Sequence, residues 1–157
     1  MIYEDVYEFA NELQLNNSLM GLDLGTKTIG VAVSDTILSV ATPIKTIKRK
    51  KFSLDSDHLL GIISTKSCCG IIIGLPKNMD GSEGPRAQST RAFAQNFAGK
   101  TELPITFWDE RLSTVAAEKA LLEADTTRKR RAEVIDHVAA AYILQGFLDR
   151  LKILDNC

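Results

Sequence analysis

Three acidic positions, far apart along the chain, carry the first suggestion of chemistry. Asp23 interrupts the otherwise apolar run Leu19-Met20-Gly21-Leu22-Asp23-Leu24, where an ionised side chain is costly unless a cation or several donors compensate it. Asp109-Glu110-Arg111 follows directly on Phe107-Trp108, at the carboxyl end of a strand-like stretch, which is where α/β sheets gather their ligand sites. Asp136 falls in a late helical segment, spaced to share a face with Glu133, Ala140, Ile143 and Phe147. Each has a local alternative. Asp23 could serve an Asx-type turn, Asp109 could cap a helix while Glu110 pairs with Arg111, and Asp136 could reach solvent from the edge of its stripe. Taken together, oxygen donors from a first strand, a late strand and a last helix suit Mg²⁺ or Mn²⁺, not zinc, which favours Cys and His. Two such ions about 4 Å apart can activate water and clamp an in-line displacement at phosphorus, so the expected chemistry is metal-dependent phosphodiester hydrolysis.

Other chemistries find less support. His58 and His137 have no partner legible in the sequence and are read as non-catalytic. Gly25-Thr26-Lys27-Thr28 lacks the spacing of a phosphate-binding P-loop, and no strand-to-helix GxGxxG occurs. Three cysteines, Cys68, Cys69 and Cys157, form neither a metal-ligand spacing nor a disulfide framework, which fits a reducing, cytoplasmic compartment. The opening residues, with Glu4, Asp5, Glu8 and Glu12, read as neither a signal peptide nor a membrane span. A net charge of -1 gives no global attraction to nucleic acid. Phosphate binding would therefore be the work of local patches, and two basic runs qualify: Lys45, Lys48, Arg49, Lys50 and Lys51, then Arg128, Lys129, Arg130 and Arg131.

The elements that must position these groups follow from hydrophobic periodicity. With 157 residues, 45% apolar and 25% charged, one ordinary domain is expected. Residues 2–13 space Ile2, Val6, Phe9, Ala10 and Leu13 as a short amphipathic helix. Residues 19–24 and 28–34 form a hairpin joined at Gly25-Thr26-Lys27, and a third strand at 41–47 is held to an edge by Pro43. A helix over 54–63 precedes a buried strand at Ile71-Ile72-Ile73. Pro85 opens a helix to about Phe97, a strand spans 103–108, Ser113 or Thr114 caps a helix over 115–123, and a last helix runs from 131 to 151. The order β-β-β-α-β-α-β-α-α predicts an α/β fold with a mixed five-stranded sheet, an initial antiparallel hairpin and helices on both faces.

Four segments resemble the YqgF family of RNase H-like proteins: Gly21-Leu-Asp23-Leu-Gly25-Thr-Lys-Thr-Ile-Gly30-Val-Ala-Val-Ser-Asp35, Gly74-Leu-Pro-Lys-Asn78-Met-Asp-Gly81-Ser, Asp109-Glu110-Arg111-Leu-Ser-Thr114, and Val134-Ile-Asp136-His-Val-Ala139-Ala140-Ala-Tyr-Ile143-Leu. They occur in the family's order across about residues 18–150. The resemblance implies an RNase H-like nuclease domain over 18–152, preceded by an accessory helix over 1–17. It implies a divalent-metal site and a role in maturing the 5′ end of 16S ribosomal RNA, with a Holliday-junction resolvase as the other activity associated with the family. It carries catalytic and metal-binding roles onto Asp23, Glu110 and Asp136, with Asp109 the rival for the middle position, and makes residues 74–82 a backbone-approach loop beside the site. Lys27, Asn78, Arg111, Lys129 and Arg130 become the candidate contacts to nucleic acid, either a ribosomal RNA precursor (alone or in a precursor subunit) or branched DNA. No membrane partner is expected, and the protein would act as a monomer or weak homodimer. Two other readings stand beside it. A nucleotide-binding protein of the actin-like kind would need a second lobe, for which the chain is short. A non-catalytic module using the basic runs would bind nucleic acid without metal-dependent cutting.

Overall fold

The computed structural model describes residues 1–112 and 128–155, the side chains at 128–136 and 155 excepted. The chain forms β1 (Ile2–Tyr3), α1 (Val6–Asn11), β2 (Ser18–Leu24), β3 (Thr28–Ser34), β4 (Ala41–Lys48), α2 (Phe52–Lys66), β5 (Cys68–Leu75), α3 (Pro85–Ala98), β6 (Ile105–Asp109), a 3₁₀ turn (Glu110–Leu112) and α4 (Arg128–Asp155). The helix expected over 115–123 lies outside the described residues.

The sheet has six strands in the order β1-β6-β5-β2-β3-β4. The hairpin β2–β3 and the β3–β4 pair are antiparallel, while β2–β5, β5–β6 and β1–β6 are parallel. The sheet is therefore mixed, as the sequence predicts, but it has one strand more. Residues 2–13 do not form one helix: Ile2 and Tyr3 pair with Ile105 and Thr106, and Asp5 then caps α1 by accepting a 2.8 Å bond from the Tyr7 amide. Asp5 is a strong N-cap residue, so the helix starts at Val6, four residues later than apolar spacing alone suggests. β4, carrying Pro43, takes the opposite edge, where a missing N–H costs no ladder bond.

Strand alternation divides the core into two layers. Leu19, Ile72 and Trp108 pack with Phe9 of α1 and with Ala140, Ile143, Leu144 and Phe147 of α4. Met20, Leu22, Leu24, Ile71 and Ile73 pack with Leu59 of α2 and Phe93 and Phe97 of α3. The buried stripe expected on the last helix thus includes Ala140, Ile143 and Phe147. Gly21 brings α4 down onto β2: a Cβ there would lie 2.7 Å from Leu144 Cβ and 3.0 Å from the Ala140 carbonyl oxygen. The helix runs antiparallel to β4, since the Gln145 side chain accepts from the Ala41 amide at 2.9 Å while His137 Nδ1 meets Thr46 Oγ1 at 3.0 Å. β2 runs in the same sense as β4, so the start of α4 lies over the carboxyl end of β2.

Candidate active site

Asp23 is the sixth residue of the wholly buried strand β2, and it is only 6% exposed. Its parity is that of Leu19 and Gly21, so its side chain leaves the sheet on the α4 face. On the next strand, extending the register Leu22↔Ile73 by one residue sets Asp23 beside Gly74. Adjacent strands lie about 4.8 Å apart.

Gly74 explains how the second acid arrives. A Cβ on Gly74 would lie 2.5 Å from Ile143 Cδ1 and 2.7 Å from Glu110 Oε1. The missing side chain is thus the space into which the Glu110 carboxylate folds from the 3₁₀ turn, and it does so on the same face as Asp23. Asp109 takes a different course. It is the last residue of β6, paired with Leu75, and Arg111 holds it: Nε and Nη2 donate to both carboxylate oxygens, the shortest bond being 2.7 Å, and the Arg111 amide adds one at 3.0 Å. That guanidinium keeps the Asp109 carboxyl below the usual aspartate range, and Asp109 in turn raises Arg111.

Position 136 lies one helical turn before Ala140, which itself abuts Gly21. Asp23 lies two residues further along β2 in the opposite sense of travel, so the backbones at 23 and 136 are at matching levels. The side chain of Asp136 is outside the described set. Among the described residues, no three His, Cys, Asp or Glu side chains gather as a cation site. The pair Asp23 and Glu110 is an all-oxygen donor set, partly shielded from water, and such a set fits Mg²⁺ or Mn²⁺.

The remaining candidates divide. Lys27 is exposed in the hairpin connection at the same sheet edge, its carbonyl accepting from the Arg49 amide at 2.8 Å. Asn78 and Arg111 are engaged within the protein. Asn78 Nδ2 donates to Ser82 Oγ at 2.9 Å, and Arg111 Nη1 reaches the Met79 carbonyl oxygen at 3.3 Å, so both fasten the 77–82 loop. Gly81 turns that loop at φ +89°, a conformation favouring glycine. Lys129 and Arg130 begin α4, whose amino end lies toward the site. Sequence reasoning missed the contact between His137 and Thr46, which joins residues 91 apart, and gave no place to Arg86, whose Nη2 donates to the Leu24 carbonyl oxygen at 3.1 Å.

No helix among the described residues is long and apolar enough to cross a membrane. The fold resembles that of "T. thermophilus RuvC in complex with Holliday junction substrate", with a TM-score of 0.55 at 11% identity over 87% of this chain and 96% of that one. It also resembles the yeast mitochondrial Holliday junction resolvase Ydc2, with a TM-score of 0.50 at 12% identity over 96% and 87%. Both are of the RNase H-like type. In sequence, the chain is 70% identical to a Ruegeria pomeroyi protein named "Putative pre-16S rRNA nuclease", over 98% of this chain and all of that one. A Roseobacter denitrificans protein of the same name is 67% identical over 98% and 96%. The RuvX family, described as "Holliday junction resolvase", matches residues 17–150, and with that coverage and those relatives the chain belongs to the RuvX (YqgF) family.

Proposed function

We propose that this protein is a nuclease that hydrolyses phosphodiester bonds at the Asp23–Glu110 face, with the precursor of 16S ribosomal RNA as its substrate. The observation that carries the reading is that Glu110, from the turn after β6, folds over Gly74 of β5 on the sheet face that Asp23 of the adjoining β2 also enters. The names of relatives up to 70% identical favour the RNA. The junction activity in the family's description makes four-way DNA the second substrate to test.

In this reading Asp23, Glu110 and Asp136 hold a divalent cation, Mg²⁺ or Mn²⁺. When bound, that ion supplies electrostatic stabilisation of charge building on the phosphoryl oxygens and acidifies water. The acids themselves fix where it binds. Asp23 offers a carboxylate from a strand that cannot shift without breaking two ladders. Glu110, on a short turn, supplies the more adjustable ligand. Asp109 is assigned to positioning, because both its oxygens already accept from Arg111. Lys27, Lys129 and Arg130 attract the polymer to this edge through its phosphates.

The test compares wild type with Asp23→Asn on a labelled 16S precursor fragment and on a four-way DNA junction, each with Mg²⁺, Mn²⁺ or EDTA. Metal-dependent cutting lost in the variant, with an unchanged circular dichroism spectrum, is expected. Equal cutting by a clean Asp23→Asn preparation overturns the assignment. Salt-sensitive binding of both substrates with no cutting would instead identify a binding module.

A further inference from the structure

On the other side of the same sheet edge lies a cavity of about 160 Å³ lined by Leu24, Gly25, Thr26, Arg49, Arg86 and Ser89, among others. Two guanidiniums enter it from different elements. Arg49, just after β4, donates through Nη1 to the Gly25 carbonyl oxygen at 2.6 Å and stacks 5.7 Å from the centre of the Phe93 ring. Arg86, in the first turn of α3, donates to the Leu24 carbonyl oxygen. Each bond uses one of the five N–H donors of its guanidinium. Among the described residues neither arginine has a carboxylate partner. By contrast, Arg91 and Arg111 are each tied to acids. The two positive charges are therefore held in place by carbonyl groups and, among the described residues, are not paired with a carboxylate, around a space large enough for a tetrahedral anion with water.

We infer that Arg49 and Arg86 form a binding site for a backbone phosphate of the nucleic acid, one residue beyond Asp23 and outside the cleavage centre. Three features favour a polymer phosphate as occupant. The cavity adjoins Leu24, the neighbour of Asp23, so a strand lying across the carboxyl edge passes from one to the other. Lys27 and Lys48, both exposed, continue positive charge along that edge. Guanidiniums also match phosphate oxygens in pairs. The identity of the polymer rests on the nuclease reading, while the site itself rests on the arginines.

The experiment measures binding of fluorescein-labelled single-stranded RNA and DNA of one sequence, in EDTA, across a salt series. Proteins compared are wild type, Arg86→Gln, Arg49→Gln/Arg86→Gln, and Lys66→Gln/Lys100→Gln, the last removing as much charge from the opposite edge. Loss of one phosphate contact lowers the slope of log K against log salt by about 0.7 for single strands. The expected result is that drop in the arginine double variant on both polymers, a partial drop in Arg86→Gln, and none in the lysine pair. Because Arg49 also braces Gly25, melting curves accompany each protein, and the exposed Arg86 gives a readout that does not depend on the hairpin. An unchanged slope in folded arginine variants, an equal drop in the lysine pair, or binding of inorganic phosphate alone overturns the inference. Asp23→Asn serves as the separating control. If it binds with the wild-type slope but the wild type cuts nothing, the nuclease reading fails and the phosphate site stands.

Discussion

Glu110 occupies the space that a side chain at residue 74 would fill, and this makes a glycine part of the proposed site without its touching any ligand. Placing a methyl there puts it 2.7 Å from Glu110 Oε1 and 2.5 Å from Ile143 Cδ1, both inside van der Waals contact. Gly74→Ala should therefore displace the carboxylate and strain the packing of α4, costing roughly 1–3 kcal/mol of stability as overpacking usually does. The activity loss should exceed what that destabilisation explains. Measured at a temperature where the variant is fully folded, cleavage should fall by at least tenfold. A variant with lowered melting temperature but wild-type cleavage would show that Glu110 does not need this seat. Of the proposed site, Asp23 is legible because an acid within an apolar strand is anomalous in itself. The preference for Glu110 over Asp109 is not, since neighbours in sequence leave a strand end in different directions, and the proposal draws that preference from the clasp of Arg111 on Asp109.

At the level of elements, the carboxyl edge of the sheet is held by short connections cross-linked through polar groups. Arg111 joins the 3₁₀ turn to Asp109 at the end of β6 and to Met79 in the loop after β5. Within that loop Asp80 accepts from the Ser82 hydroxyl at 2.6 Å and from the Ser82 amide at 2.9 Å, which holds its carboxyl below the usual aspartate range. Periodicity identifies β5 and α3 well, because an isoleucine run and a proline at a first helical turn are local signals. It cannot reveal the loop between them, whose shape depends on a guanidinium from a residue some thirty positions away. The tether has a signature in pH. The folded-state value for Asp109 is depressed by Arg111, so its stabilisation is fully present above the unfolded aspartate value of about 3.9 and is lost as pH falls through the lower folded value. The stability gap between wild type and Arg111→Gln, read from denaturant melts, should be constant from pH 7 to about 5 and close below 4. A gap independent of pH would mean that Arg111 acts through packing alone.

For the whole molecule, the sixth strand shows how the first residues are tied to the rest. The sequence marks residues 2–13 as amphipathic, which the buried Phe9 bears out, but cannot show that Ile2 and Tyr3 would find the free edge of β6, because strand pairing between residues about a hundred positions apart leaves no local pattern. The attachment is substantial. Phe9 is wholly buried and meets Phe147 edge-on at 5.4 Å, while Leu13 and Phe9 pack over Gly70. Phe147 lies eleven residues beyond position 136, or about three helical turns, so this contact holds α4 at the end away from the acids. Stability and chemistry should then separate. Phe9→Ala removes a buried ring and should cost about 3–5 kcal/mol, lowering Tm by roughly 10 °C for a domain of this size. Cleavage assayed well below the new transition should stay within a few-fold of wild type, because the amino-terminal half of α4 is still seated by Gly21 against Ala140 and Leu144. If activity instead falls in step with the loss of this distant contact, α4 moves as a rigid lever and the first seventeen residues belong to the working site as much as to its support.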